Sequence, residues 1–86
     1  MGRFYFHICE GGQLATDDEG VDLPNLTAAR REAELSAREM LADAIKSGKE
    51  SVPDAFVIAD EEGRTLETLP LSSVLPESLQ KVRPRQ

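Results

Sequence analysis

The stretch that decides the fold is NLTAARREAELSAREMLADAIKSG, residues 25–48. Leu26 to Lys46 contains no Gly or Pro, and Asn25 before it is a good N-cap, able to accept a hydrogen bond from a first-turn N–H. At helical spacing, Leu26, Ala29, Ala33, Ala37, Met40, Leu41 and Ala44 fall within roughly 120° of one another, the width of a core-facing stripe. The stripe is mostly alanine, so the helix can lie close to its neighbour and leave volume for larger partners. Lys46 complements the negative end of the helix dipole, and Gly48 is the expected stop.

The surface this helix needs is encoded on both sides of it. Arg3 to Cys9 alternates, with Phe4, Phe6 and Ile8 on one face and Tyr5, His7 and Cys9 on the other, which reads as a strand. After Gly11-Gly12, Gln13 to Thr16 reads as a short hairpin partner, and Asp17-Asp18-Glu19-Gly20 as a turn. Val21 to Pro24 leaves that turn extended. Beyond the helix, Ala55 to Ala59 reads as a strong strand, Asp60-Glu61-Glu62-Gly63 as a turn, and Arg64 to Leu69 as the returning strand, with Pro70 ending it or marking an edge. The two acidic turns echo one another and predict two hairpins with glycine supplying the positive φ. The expected fold class is therefore α+β: a single long helix packed on one face of a 3–4 stranded antiparallel sheet, in the order β-β-α-β-β. Residues 1–71 form one domain, and residues 72–86 a C-terminal tail, partly disordered, in which Val74, Leu75 and Leu79 can cap the core as a helical turn.

Length and composition bound what such a domain does. At 86 residues it buries only about 60–65% of the surface its unfolded chain exposes, so burial against a second copy would add stability. A net charge of −6 argues against a general nucleic-acid or anionic-membrane surface and suits a basic partner. The single cysteine, Cys9, cannot close an internal disulfide, which fits a reducing compartment. No signal-peptide pattern or membrane-length apolar run is present, so the expectation is a cytoplasmic location.

No motif in the sequence carries chemistry by itself. His7 shares a strand face with Tyr5 and Cys9, which suggests a general base or ligand, but a metal site needs three or four ligands and the sequence has no second His or Cys. A histidine hydrogen-bonded within the sheet is the plainer reading. The acidic turns lack the spacing of a calcium loop, and turn chemistry explains them. The basic end, Lys81, Arg83 and Arg85, is a weak signal for phosphate contact on an acidic chain. The sequence indicates no cofactor, no metal and no small-molecule ligand.

Two surfaces remain as candidates for interaction. One helix covers one sheet face, which leaves Tyr5, His7 and Cys9 to be covered by the tail, a second copy or another protein. Leu35, with Ala28 and Ala42 on the outer helix line, is the other.

Arg3-Phe4-Tyr5-Phe6-His7, the Asp17-x-x-Gly20-x-x-Leu23 turn, Ala29, Ala33 and Ala37 in the helix, and Ile58-Ala59-Asp60-x-x-Gly63 together resemble an uncharacterised family of small alphaproteobacterial proteins, a domain of unknown function. The resemblance covers about residues 3 to 70 and implies a bacterial cytoplasmic protein, with no activity or catalytic residue attached. A looser similarity is to the HicB-type antitoxin domain, where a hairpin leads through an Asp-x-x-Gly turn to an alanine-rich helix. The chain departs from it in lacking a third strand before the helix and a separate DNA-binding segment. The functional expectation is a small non-enzymatic binding module, homodimeric, with protein (itself or another) as partner. The alternative is an antitoxin-like regulatory protein masking a basic partner.

Overall fold

The computed structural model describes residues 2–49 and 51–76. Its elements are β1 (Gly2–Glu10), β2 (Gln13–Ala15), β3 (Val21–Leu23), α1 (Leu26–Ser47), β4 (Ala55–Ala59), β5 (Thr65–Pro70) and a 3₁₀ turn at Leu71–Val74. The fold is α+β with one helix and a five-stranded antiparallel sheet. The expected order lacked β3, so the observed order is β-β-β-α-β-β.

Strand β1 organises the sheet. Tyr5 to Cys9 pair with β4, and β4 pairs in turn with the edge strand β5, which Pro70 closes. On its other edge β1 has two partners in succession. Ile8, Cys9 and Glu10 pair with Ala15, Leu14 and Gln13 of β2, while Gly2, Arg3 and Phe4 pair with Leu23, Asp22 and Val21 of β3. Residues 16–20 thus oppose residues 5–7, and two surplus residues bow out of the ladder. The Asp60 to Gly63 turn does join a hairpin, as expected. The Asp17 to Gly20 turn does not, because β2 and β3 both pair with β1 and not with each other. It is an outsized bulge in one interrupted partner strand.

The helix forms as its sequence directs. Asn25 accepts from the Ala28 N–H at 2.9 Å, and Gly48 ends α1 at φ 70°, with its N–H and that of Lys49 satisfying the last-turn carbonyls of Ile45 and Ala44. Ala29, Ala33 and Ala37 are buried against Phe56, Ile58, Leu69 and Leu71, with Phe4, Phe6, Ile8, Leu23, Leu26, Met40, Leu41, Val52 and Val74 packed around them. Ile58, fully buried, is the largest such side chain. An ion pair ties helix to sheet: Arg30 donates to both carboxylate oxygens of Glu67 on β5, at 2.7 to 3.0 Å. The 3₁₀ turn buries Leu71 beneath the helix and packs Val74, one of the expected capping residues, against the core. Leu79 and the basic end lie outside the described residues.

Candidate functional site

Alternation along β1 sends Tyr5, His7 and Cys9 to the face away from the helix, and the strand pairing continues that face onto Ala59, Val57 and Ala55 of β4 and Leu14 of β2. The three residues predicted from sequence are therefore brought together. Leu35 is not among them. It is 49% exposed on the side of α1 turned away from the sheet, so the two candidate surfaces are separate.

The outer face is not bare. The 16–20 bulge folds over its Tyr5 end, and Asp17 fixes it there. Asp17 Oδ2 accepts from the Phe6 N–H at 3.1 Å, filling the place in the ladder that neither β2 nor β3 reaches. Its Oδ1 accepts from the Glu19 and Gly20 N–H groups at 3.1 and 3.3 Å, and its own N–H donates to His7 Nδ1 at 3.0 Å. Partial burial pushes the Asp17 carboxyl up, but the three backbone N–H donors outweigh this and hold it below its ordinary value of 3.8, with His7 adding a smaller pull.

Gly20 completes the cover. It has φ 73°, and a Cβ there would stand 2.8 Å from Arg3 Cγ and 2.9 Å from Tyr5 Cε2. Only glycine lets the bulge press this closely on the Tyr5 ring and the Arg3 stem. Arg3 then reaches back over the bulge, donating from Nη1 to the Glu19 carbonyl at 2.7 Å and pairing with Asp22.

His7 consequently spends Nδ1 as an acceptor, which places the proton of its neutral ring on Nε2. The ring is half-buried and joined to backbone, the arrangement expected of a sheet histidine. Asp17 is the site residue that sequence reasoning passed over as ordinary turn chemistry. The Asp-x-x-Gly spacing was its signal. Asp60 repeats the chemistry, accepting from the Glu62 and Arg64 N–H groups and from Arg64 Nε, contacts that hold its carboxyl low. In both turns the carboxylate oxygens are occupied by donors of the chain itself. Among the described residues, no three His, Cys, Asp or Glu side chains converge as metal ligands would.

Beyond the bulge the outer face is partly open, with Ala55 and Ala59 buried between their larger neighbours. Leu14 is 52% exposed beside half-buried Cys9, and Val57 of β4 is half-buried next to His7. A concavity of about 760 Å³ lies on the helix side, between β1, β2, the C-terminal half of α1 and the loop leading to β4. Ile8, Met40, Ala44 and Val52 form its apolar floor, and Glu10, Asp43 and Lys49 its rim. No helix among the described residues is long and apolar enough to cross a membrane.

A family model described as a domain of unknown function (DUF6894) matches residues 3–72. No curated protein and no solved structure matches the chain.

Proposed function

We propose, for a chain that belongs to the DUF6894 family over residues 3–72, a non-catalytic protein-binding module that pairs with a second copy of itself through the open part of its outer sheet face. The observation that carries this reading is the apolar patch of exposed Leu14 with half-buried Cys9 and Val57, which continues the sheet past the Asp17 bulge on the face away from the helix. Small size supports self-association, because a core this limited gains from burying a further face. The use of His7 Nδ1 as a backbone acceptor supports a structural role for that residue in place of acid–base work. The reading includes a cytoplasmic location, which the single cysteine of the sequence supports.

Sedimentation velocity across a micromolar concentration series tests this. A monomer–dimer equilibrium that Leu14→Glu shifts toward monomer, with unchanged far-ultraviolet circular dichroism, is the expected result. A strict monomer at the highest concentration overturns it.

A second reading is an antitoxin-like regulator that masks a basic partner. Two observations favour it: the net charge of −6, and the strand β3 before the helix, which removes one of the two differences from the HicB-type domain. Co-purification of a basic protein from the native host, released by salt, is its test, and recovery of the chain alone counts against it.

A further inference from the structure

The helix-side concavity and the end of the described chain lie close together. A smaller groove, lined by Leu41, Asp54, Leu71 and Leu75, shares Val52 and Pro53 with the concavity between Met40 and Ile8. Leu75 lines the smaller groove, and residues 77–86 follow it in the sequence after Pro76; the two adjoining grooves are together termed the channel. Ten residues reach roughly 30 Å when extended, ample to run from one groove into the other.

Charge divides at the same point. Up to Pro76 the chain has seven Lys and Arg against fifteen Asp and Glu, whereas residues 77–86 have three against one. The channel carries carboxylates along its length, with Asp54 near the start and Asp43 and Glu10 on the far rim. Its one lining cation, Lys49, reaches Asp43 at 3.4 Å through two well-exposed side chains, a pair too weak to hold the rim against competition. The segment meanwhile offers Leu79 and Val82, spaced among Lys81, Arg83 and Arg85. Apolar groups for the floor and cations for the rim come in one short stretch.

We propose that residues 77–86 of the same chain occupy this channel, with Leu79 and Val82 over Met40, Ile8 and Val52, and the basic side chains against Asp43 and Glu10. The helix-side concavity is then a seat for the chain's own C-terminal segment.

Methyl-resolved nuclear Overhauser spectroscopy on the full chain tests this. Contacts from the Leu79 and Val82 methyls to Met40, Ile8 and Val52 are expected, and they should be lost in the triple variant Lys81→Glu, Arg83→Glu, Arg85→Glu. The variant's fold is checked by unchanged signals from Phe56 and Ile58 in the core. Absence of the contacts in the unaltered chain overturns the proposal, as does their survival in the triple variant. A mixture of labelled and unlabelled chains separates the other occupant: contacts seen between differently labelled chains mean that a second copy's segment fills the channel, and the same-chain assignment fails.

Discussion

Asp17 and His7 are joined by a hydrogen bond that runs from backbone to side chain: the Asp17 N–H donates to His7 Nδ1 at 3.0 Å, while the Asp17 carboxylate accepts from the neighbouring Phe6 N–H at 3.1 Å. The aspartate therefore stands in for a missing strand residue, and the histidine anchors the backbone that carries it. This pairing closes the bulge onto the sheet, and its removal has consequences that can be measured.

Asp17→Ala removes the acceptor for three backbone N–H groups, those of Phe6, Glu19 and Gly20. A partly buried donor left unpaired costs about 1–3 kcal/mol, so the variant is expected to lose stability in that range. Urea unfolding monitored by circular dichroism measures the loss. Hydrogen exchange should quicken first at Phe6 and Gly20, while Ile58 keeps its protection.

Acid should weaken the fold through three carboxylates. Asp17 is held low by backbone N–H donors that outweigh its burial, Asp60 by the Arg64 N–H and then its guanidinium, and Glu67 by Arg30. Each binds its proton more weakly folded than unfolded, so its contribution is fully present above the ordinary values of 3.8 and 4.5 and is lost as pH falls through the lower folded values. Urea midpoints should be flat above about pH 5 and fall below pH 4. Asp17→Asn should flatten part of that fall, and an unchanged slope would remove Asp17 from the account.

Gly20→Ala and Gly63→Ala form an internal comparison. Both glycines have positive φ, 73° and 83°, so both substitutions incur the left-handed penalty of about 1–2 kcal/mol. A Cβ at Gly63 meets nothing within 4 Å, but at Gly20 it collides with Arg3 and Tyr5. The Gly20 variant should be the less stable of the two, and its Tyr5 ring signals should move. Equal losses would mean that the ring yields without cost.

The alanine face predicts that adding bulk does harm. Ala33 is 1% exposed, and Ala33→Leu is expected to cost about 1–3 kcal/mol by forcing helix and sheet apart, although it adds apolar surface. Leu35→Ala on the outer line should change stability by no more than about 0.5 kcal/mol. Thermal unfolding of the pair distinguishes packing from hydrophobicity.

Much of this architecture was legible in the residues. The cap at Asn25, the stop at Gly48 and the alanine spacing bounded α1 to within one residue, because helix signals are local. The alternation of β1 placed Phe4, Phe6 and Ile8 inward and Tyr5, His7 and Cys9 outward, and β4 fell where its apolar run ends. The family resemblance over about residues 3 to 70 coincides with the matched span of 3–72. Strand β3 was not legible, since three residues ending before a proline carry no period, and its identity as a strand comes from pairing with residues nearly twenty positions away. The role of Asp17 was hidden for the same reason. An Asp-x-x-Gly turn announces its own geometry but not the unpaired N–H of Phe6 that it serves.

The row of Ala29, Ala33 and Ala37 also bears on how the helix knows its position along the sheet. Three identical side chains at four-residue steps, about 6 Å apart, present the same smooth profile after a slip of one step, so the interface has no vernier of its own. Axial alignment must come from features that do not repeat. Arg30 supplies one, because its two-pronged grip on Glu67 exists at a single setting, and Leu71 wedged beneath the helix supplies another. Removing the Arg30 clasp would thus blur where α1 sits before it changed whether α1 forms, and a surface ion pair of modest strength would be acting as the index mark of the fold.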